Sequence, residues 1–232
     1  MQTIDKAKAN GLARFTSLVY LYTGLGIALW LVVANAIARN AGLSKAIFSL
    51  AGAHSIIFTI LVVAVAFGFI SLCNYFATRS YFMTFVSYVA FLVALSVIGV
   101  PIFYLYSAAS ITQALVVTSA VFIVAAAFGF ITKKDLTTWS RTLMIGLISI
   151  IVVSLINILI FKSSMIMLLI NIAVVVIFLF YIAFDSQNIK RIYAQAEGSE
   201  SLGAIALVAS INLVLDFINV FMSLLSIFGD SN

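Results

Sequence analysis

The chain has 232 residues, of which 65% are hydrophobic and only 8% charged, against about 25% charged in an ordinary soluble domain. Even a soluble domain of about 300 residues buries only about 75% of the surface its unfolded chain exposes, so this much apolar surface belongs in a lipid bilayer. Twelve Lys and Arg against seven Asp and Glu are spread along the chain rather than gathered on one face, which excludes a nucleic-acid partner. The composition also excludes a cytosolic enzyme, a disulfide scaffold and a disordered tail.

Residues 1–17 hold Asp5, Lys6, Lys8 and Arg14 and read as a cytoplasmic segment. Ala34-Asn35-Ala36 has the form of a signal-peptide cleavage site. The apolar run 18–38 is longer than a signal core of about 7–15 residues, so an uncleaved first span is expected. A membrane helix needs about 20 apolar residues, and the gaps between charges supply seven. The second span is expected at about 55–76, the third at 82–105 and the fourth at 110–131. Pro101 and the polar stretch 107–113 mark the hairpin between the last two. The fifth lies between Arg141 and Lys162, the sixth between Lys162 and Asp185, and the last runs to Gly229. The expected fold is an all-α integral membrane protein. It is a seven-helix bundle forming one transmembrane domain over 18–229, with a tail at 230–232.

Lys and Arg flanking the spans set orientation. Nine lie on the N-terminal side and three on the other, which puts the N-terminus in the cytoplasm. Seven full crossings put the C-terminus outside; a re-entrant last helix would return it. The compact chain suits a bacterial plasma membrane. Val63-Ala64-Val65-Ala66-Phe67-Gly68-Phe69-Ile70-Ser71 echoes Val124-Ala125-Ala126-Ala127-Phe128-Gly129-Phe130-Ile131-Thr132. A repeated helical hairpin or coincidence in an apolar alphabet accounts for that equally well.

A carboxylate within a membrane span costs about 2.5–3.5 kcal/mol on insertion scales. Asp216 stands near the middle of the last span. Asn212, Asn219 and Ser223 recur at helical spacing about it and share its face. Such a stripe must turn towards protein or water, which places the last helix in the middle of the bundle. The competing reading is a polar seam that glues helices, and it weighs as much as function for the two Asn. Asp185 closes the sixth span, and Asn171, four turns earlier, shares its face. Beside Lys190 and Arg191, Asp185 alone reads as an interfacial acid. Arg79, at the cytoplasmic end of the second span, reads as a positive-inside anchor. His54 reads as an outer interfacial residue with no second His for a metal site. Cys73 is a lone thiol in an apolar run. The last span has no Lys for a retinal Schiff base, no Gly-x-Gly-Asp precedes Asp216, and no hydrolase or phosphate-loop motif appears. The chain does not read as an enzyme, and no cofactor is implied.

Four segments resemble one known family in order and spacing. They are Thr132-Lys133-Lys134-Asp135-Leu136, Asn157-Ile158-Leu159, Tyr181-Ile182-Ala183-Phe184-Asp185-Ser186-Gln187-Asn188-Ile189-Lys190, and Leu215-Asp216-Phe217-Ile218-Asn219-Val220-Phe221 with Leu224-Leu225-Ser226-Ile227-Phe228-Gly229. The C-terminal half is similar to the Bax inhibitor-1 family, and the N-terminal half matches mainly in hydropathy. The resemblance implies a seven-helix bundle with the last helix central. It also implies a pH-sensitive calcium leak, opened by acid, as in the family's prokaryotic branch. Asp185 and Asp216 match the family's paired proton sensor, and Arg79 stands about where the family has an Arg latch to the sixth-span Asp. Ser226 departs from the basic residue that many members carry there.

Chemistry and resemblance agree. Two close carboxyls in low dielectric resist joint ionisation and titrate as a unit. Calcium takes six to eight oxygen ligands, so two carboxylates with Asn side chains and waters make a transit site rather than a store. The leading expectation is a passive, pH-gated calcium pathway, with calcium as cargo and lipid, calcium and protons as partners. The alternatives are a non-conducting regulator that binds a membrane protease or cell-death factor, and a proton-coupled transporter.

Overall fold

A computed structural model gives the fold and describes residues 2–52 and 55–230; His54 lies outside the described residues. Among these, every regular element is helical. In order they are α1 (Gln2–Arg39), α2 (Ala41–Gly52), α3 (Ser55–Phe76), α4 (Tyr81–Gly99), α5 (Ile102–Leu105), α6 (Ala108–Ile131), a 3₁₀ turn (Leu136–Trp139), α7 (Ser140–Ile156) continued by a π turn (Asn157–Phe161), α8 (Ser164–Ala196) and α9 (Leu202–Phe228). Seven segments are long and apolar enough to cross a membrane, in the order expected. The protein is an all-α integral membrane protein.

Several boundaries differ from those that charge spacing suggested. The helix α2 fills what Arg39 and Lys45 marked as a loop. The third span breaks early: α4 stops at Gly99, because Pro101 has no N–H to continue it, and the single turn α5 carries the chain on to Leu105. The hairpin bend falls at 106–107, where the Ser107 hydroxyl accepts the Ser110 N–H at 3.1 Å and caps α6. Asp185 does not close the sixth span. The helix α8 continues through Lys190 and Arg191 to Ala196, since exposed or half-buried cations do not stop a helix. What stops it is Gly198, at φ +84, the left-handed position that glycine takes just past a helix end.

The fifth span ends differently. In its π turn the Asn157 carboxamide accepts the Ser163 N–H and donates to the Ser163 carbonyl, both at 3.1 Å. Lys162 sits at φ +49 to close the turn. One Asn side chain thus supplies the polar partners that a helix end lacks.

The chain divides into two compact units that interleave in sequence. One comprises 1–105 and 189–214, the other 106–188 and 215–232. In the first, α4 packs between α1 and α3. Trp30 donates its indole N–H to the Leu95 carbonyl at 3.2 Å, and Ser96 donates to the Trp30 carbonyl at 3.0 Å. Gly99 lies against the Trp30 ring, where a larger residue would not fit. Cys73 is buried on α3, its thiol 3.7 Å from the Thr84 carbonyl.

In the second unit, α6 and α9 run antiparallel. The Asp230 N–H donates to Ser110 Oγ at 3.0 Å and the Ser107 N–H to the Asp230 carbonyl at 3.4 Å. These bonds tie the end of α9 to the start of α6. The last helix is the most buried of the seven spans: 67% of its apolar window is covered, against 11% for the second and fifth. It is wrapped by protein, while those two turn most of their side chains to lipid.

Candidate functional site

The site forms in the second unit, where α6, α8 and the second half of α9 converge. Asp216 on α9 is 4% exposed and Asp185 on α8 is 9% exposed. Their carboxyl groups stand close enough to interact directly. Carboxylates only accept, so a hydrogen bond between two carboxyls requires a proton on one of them. The second Asp216 oxygen, Oδ2, is buried with no partner, and so is the hydroxyl of Ser186. Tyr181, one turn before Asp185, stands close enough to feel both carboxyl charges.

Backbone packing sets this meeting. Gly129 lies at the end of α6, and a Cβ there would fall on the backbone of Ala183. The two helices therefore touch backbone to backbone, two residues before Asp185. Beyond the pair, Gln187 donates to the Lys134 carbonyl at 2.7 Å and accepts the Leu136 N–H at 2.8 Å. It fastens the α6–α7 connection to α8. Asp135 caps the 3₁₀ turn that follows, accepting the Thr137 N–H at 2.9 Å. These bonds account for the Lys-Lys-Asp-Leu and Asp-Ser-Gln segments: each shapes the backbone next to the carboxyls.

Of the other expected residues, Ser223, Asn219 and Asn171 belong to the same unit as the pair. Ser223 is buried, and Asn219 is half-buried, with its amide donated back to the Leu215 carbonyl at 2.8 Å. Asn171 donates to Ser226 at 2.9 Å, so the residue that departs from the family pattern has a polar partner of its own. Asn212 breaks the inward stripe, because it is exposed, and it belongs to the first unit. Arg79, also of the first unit, is exposed; its guanidinium lies 4.1 Å from the Tyr75 ring centroid and donates to the Tyr75 carbonyl.

Sequence reasoning missed Gly129, Ser186 and an aromatic pair, Phe122–Phe217, whose centroids are 5.6 Å apart. The signal for Gly129 was the Phe-Gly-Phe echo, which does not distinguish its two glycines. Gly68, its counterpart on α3, has open space around it. Among the described residues no group of three or more His, Cys, Asp or Glu side chains gathers as metal ligands. A cation at the pair would complete its shell with water and neutral oxygens.

A model of the family described as "Inhibitor of apoptosis-promoting Bax1" matches residues 12–232. The inner membrane protein YbhL of Escherichia coli K12 is 35% identical over 131 residues, 56% of each chain. An uncharacterized membrane protein of Streptococcus pyogenes serotype M3 is 39% identical over 124 residues, 53% of each chain. A Caulobacter vibrioides protein is 38% identical over 125 residues, 53% of this chain and 50% of its own. The match thus spans about half the length of these curated relatives. The family match covers nearly the whole chain, with the paired carboxyls, the Asn157 turn and the buried last helix in their expected order: the chain belongs to the Bax inhibitor-1 family.

Proposed function

We propose that the protein is a passive, proton-gated cation pathway whose cargo is calcium. One observation carries the reading: two buried carboxyls on different helices, close enough to interact directly, within the membrane-spanning part of the chain. A buried charge in a span is costly unless partnered or functional, and a seam that only glued helices would be served by neutral amides or hydroxyls. The pair is a proton switch by construction. With one proton it is bridged and closed to a cation. A second proton, taken up in acid, removes the shared proton bridge and lets the two helices part, which opens the path. The resemblance assigns the open state to acid, and we adopt that sign. The bacterial plasma membrane, a cytoplasmic N-terminus and an outer C-terminus are parts of this reading, carried by the Lys and Arg bias.

The test is calcium flux into liposomes that hold only the purified protein, down a calcium gradient, at about pH 6 and about pH 8, on either side of neutral. Flux well above empty liposomes, larger at the lower pH, is expected. No flux at either pH would leave the alternative, a non-conducting regulator that works through a membrane-protein partner. Accumulation of calcium against its gradient, driven by a proton gradient, would mark a coupled transporter instead.

A further inference from the structure

Building on the cation-pathway reading, we propose that the Phe122–Phe217 ring pair is a hydrophobic gate. It separates the buried carboxyls from a second polar level nearer the start of α6.

The register of the second unit sorts its polar side chains into two levels. Both α6 and α8 run antiparallel to α9: Ser110 meets Asp230, Asn171 meets Ser226 and Asp185 meets Asp216. On one level lie Asp185, Ser186 and Asp216. On the other lie Thr118, Ser223, the Asn171–Ser226 pair and Ser110. The two rings stand between, edge to face at 65° and 5.6 Å, with exposures of 8% and 4%. Thr118 precedes Phe122 by one helical turn, about 6 Å, and Ser223 follows Phe217 by about 9 Å. The carboxyl pair lies on the opposite side of the rings from both: Asp185 follows the contact of Ala183 with Gly129, and Gly129 is about 10 Å beyond Phe122 along α6.

Unpartnered hydroxyls point to water on both levels. Serine and threonine in these helices ordinarily donate to the carbonyl one turn back, as Thr23, Thr112 and Ser149 do. Thr118 and Ser186 do not: each is fully buried and its hydroxyl has no protein partner. Buried polar atoms are almost always hydrogen-bonded, so each hydroxyl suits a water or a passing hydrated ion. Two wetted levels with a dry aromatic constriction between them make a gate that works by dewetting. The carboxyls can drive it, since Asp216 and Phe217 are adjacent on one helix. Any shift of α9 that follows a change in the pair's protonation moves the ring as well.

Two measurements test the gate. In a Cys73→Ala background, Ser186→Cys and Thr118→Cys are made separately in sealed, oriented vesicles. Each is then exposed to a membrane-impermeant thiol reagent from one face at a time. The two thiols should react from opposite faces while both rings are present. Adding Phe122→Ala should open each to the other face, at least ~10-fold faster than before. The gate is overturned if one face reaches both thiols with the rings intact, if neither thiol reacts, or if losing the ring leaves the sidedness unchanged. In liposomes, Phe122→Ala should raise calcium flux about 10-fold, while Phe122→Leu, which keeps an apolar plug, should stay within about twofold of native. An unchanged flux in Phe122→Ala overturns the gate and leaves the calcium reading standing. A native protein without flux removes the calcium reading, and thiol sidedness then decides the barrier by itself.

Discussion

Replacing Gly129 by alanine would push a methyl group into the α8 backbone. The carbonyl oxygen, carbonyl carbon and Cα of Ala183 all lie where the new Cβ must go. No rotamer change relieves such a clash, so the helices have to separate. Overpacking a tight interior costs about 1–3 kcal/mol, and a backbone obstacle puts Gly129→Ala at about 3 kcal/mol. At about 2–4 °C per kcal/mol for a chain of this size, the midpoint of thermal unfolding should fall by roughly 6–12 °C. The same change at Gly68 is the control, because it meets no atom within 4 Å. There alanine removes chain entropy only from the unfolded state and should stabilise by about 0.4–1 kcal/mol. Both are measured by thermal unfolding of the purified protein in one detergent. Equal midpoints for Gly129→Ala and Gly68→Ala would refute the claim that α6 and α8 touch through their backbones beside Asp185.

Three further outcomes are expected. Asn157→Ala removes both bonds to Ser163 and should lower stability by about 1–3 kcal/mol, read by the same unfolding assay. Lys162→Gly relieves a left-handed position at φ +49 and should raise stability by about 1 kcal/mol, provided the Asn157 turn is intact. Gln187→Ala leaves the Leu136 N–H without its acceptor, and hydrogen exchange at that amide should quicken about 10-fold.

The seven spans were legible because the chain carries few charges and they fall near span ends. The ends were less legible. Lys190 and Arg191 read as an interface but ride on a continuing helix, since what ends α8 is the backbone freedom of Gly198 rather than charge. Asp216 declared itself by cost: one carboxyl amid apolar residues needs a reason. Its partner did not, because Asp185 next to two cations has an ordinary explanation, and only the resemblance paired them. The stripe through Asn212 was drawn from helical spacing, which gives a shared face but not what covers each turn of it; Asn212 is exposed. Phe122 and Phe217 were invisible in a chain with twenty Phe. Aromatic residues are common in apolar helices, and only the packing of α6 on α9 singles out this pair.

The central claim is that one proton shared by Asp185 and Asp216 governs the pathway. The most direct test compares the pH profile of calcium flux in native protein, Asp185→Asn, Asp216→Asn and the double variant, all in liposomes of one composition. Groups that titrate as a unit lose their effect together. Native flux should rise on acidification, each single variant should lose that dependence, and the double variant should behave like either single one. A native pH profile surviving in either single variant would contradict the account.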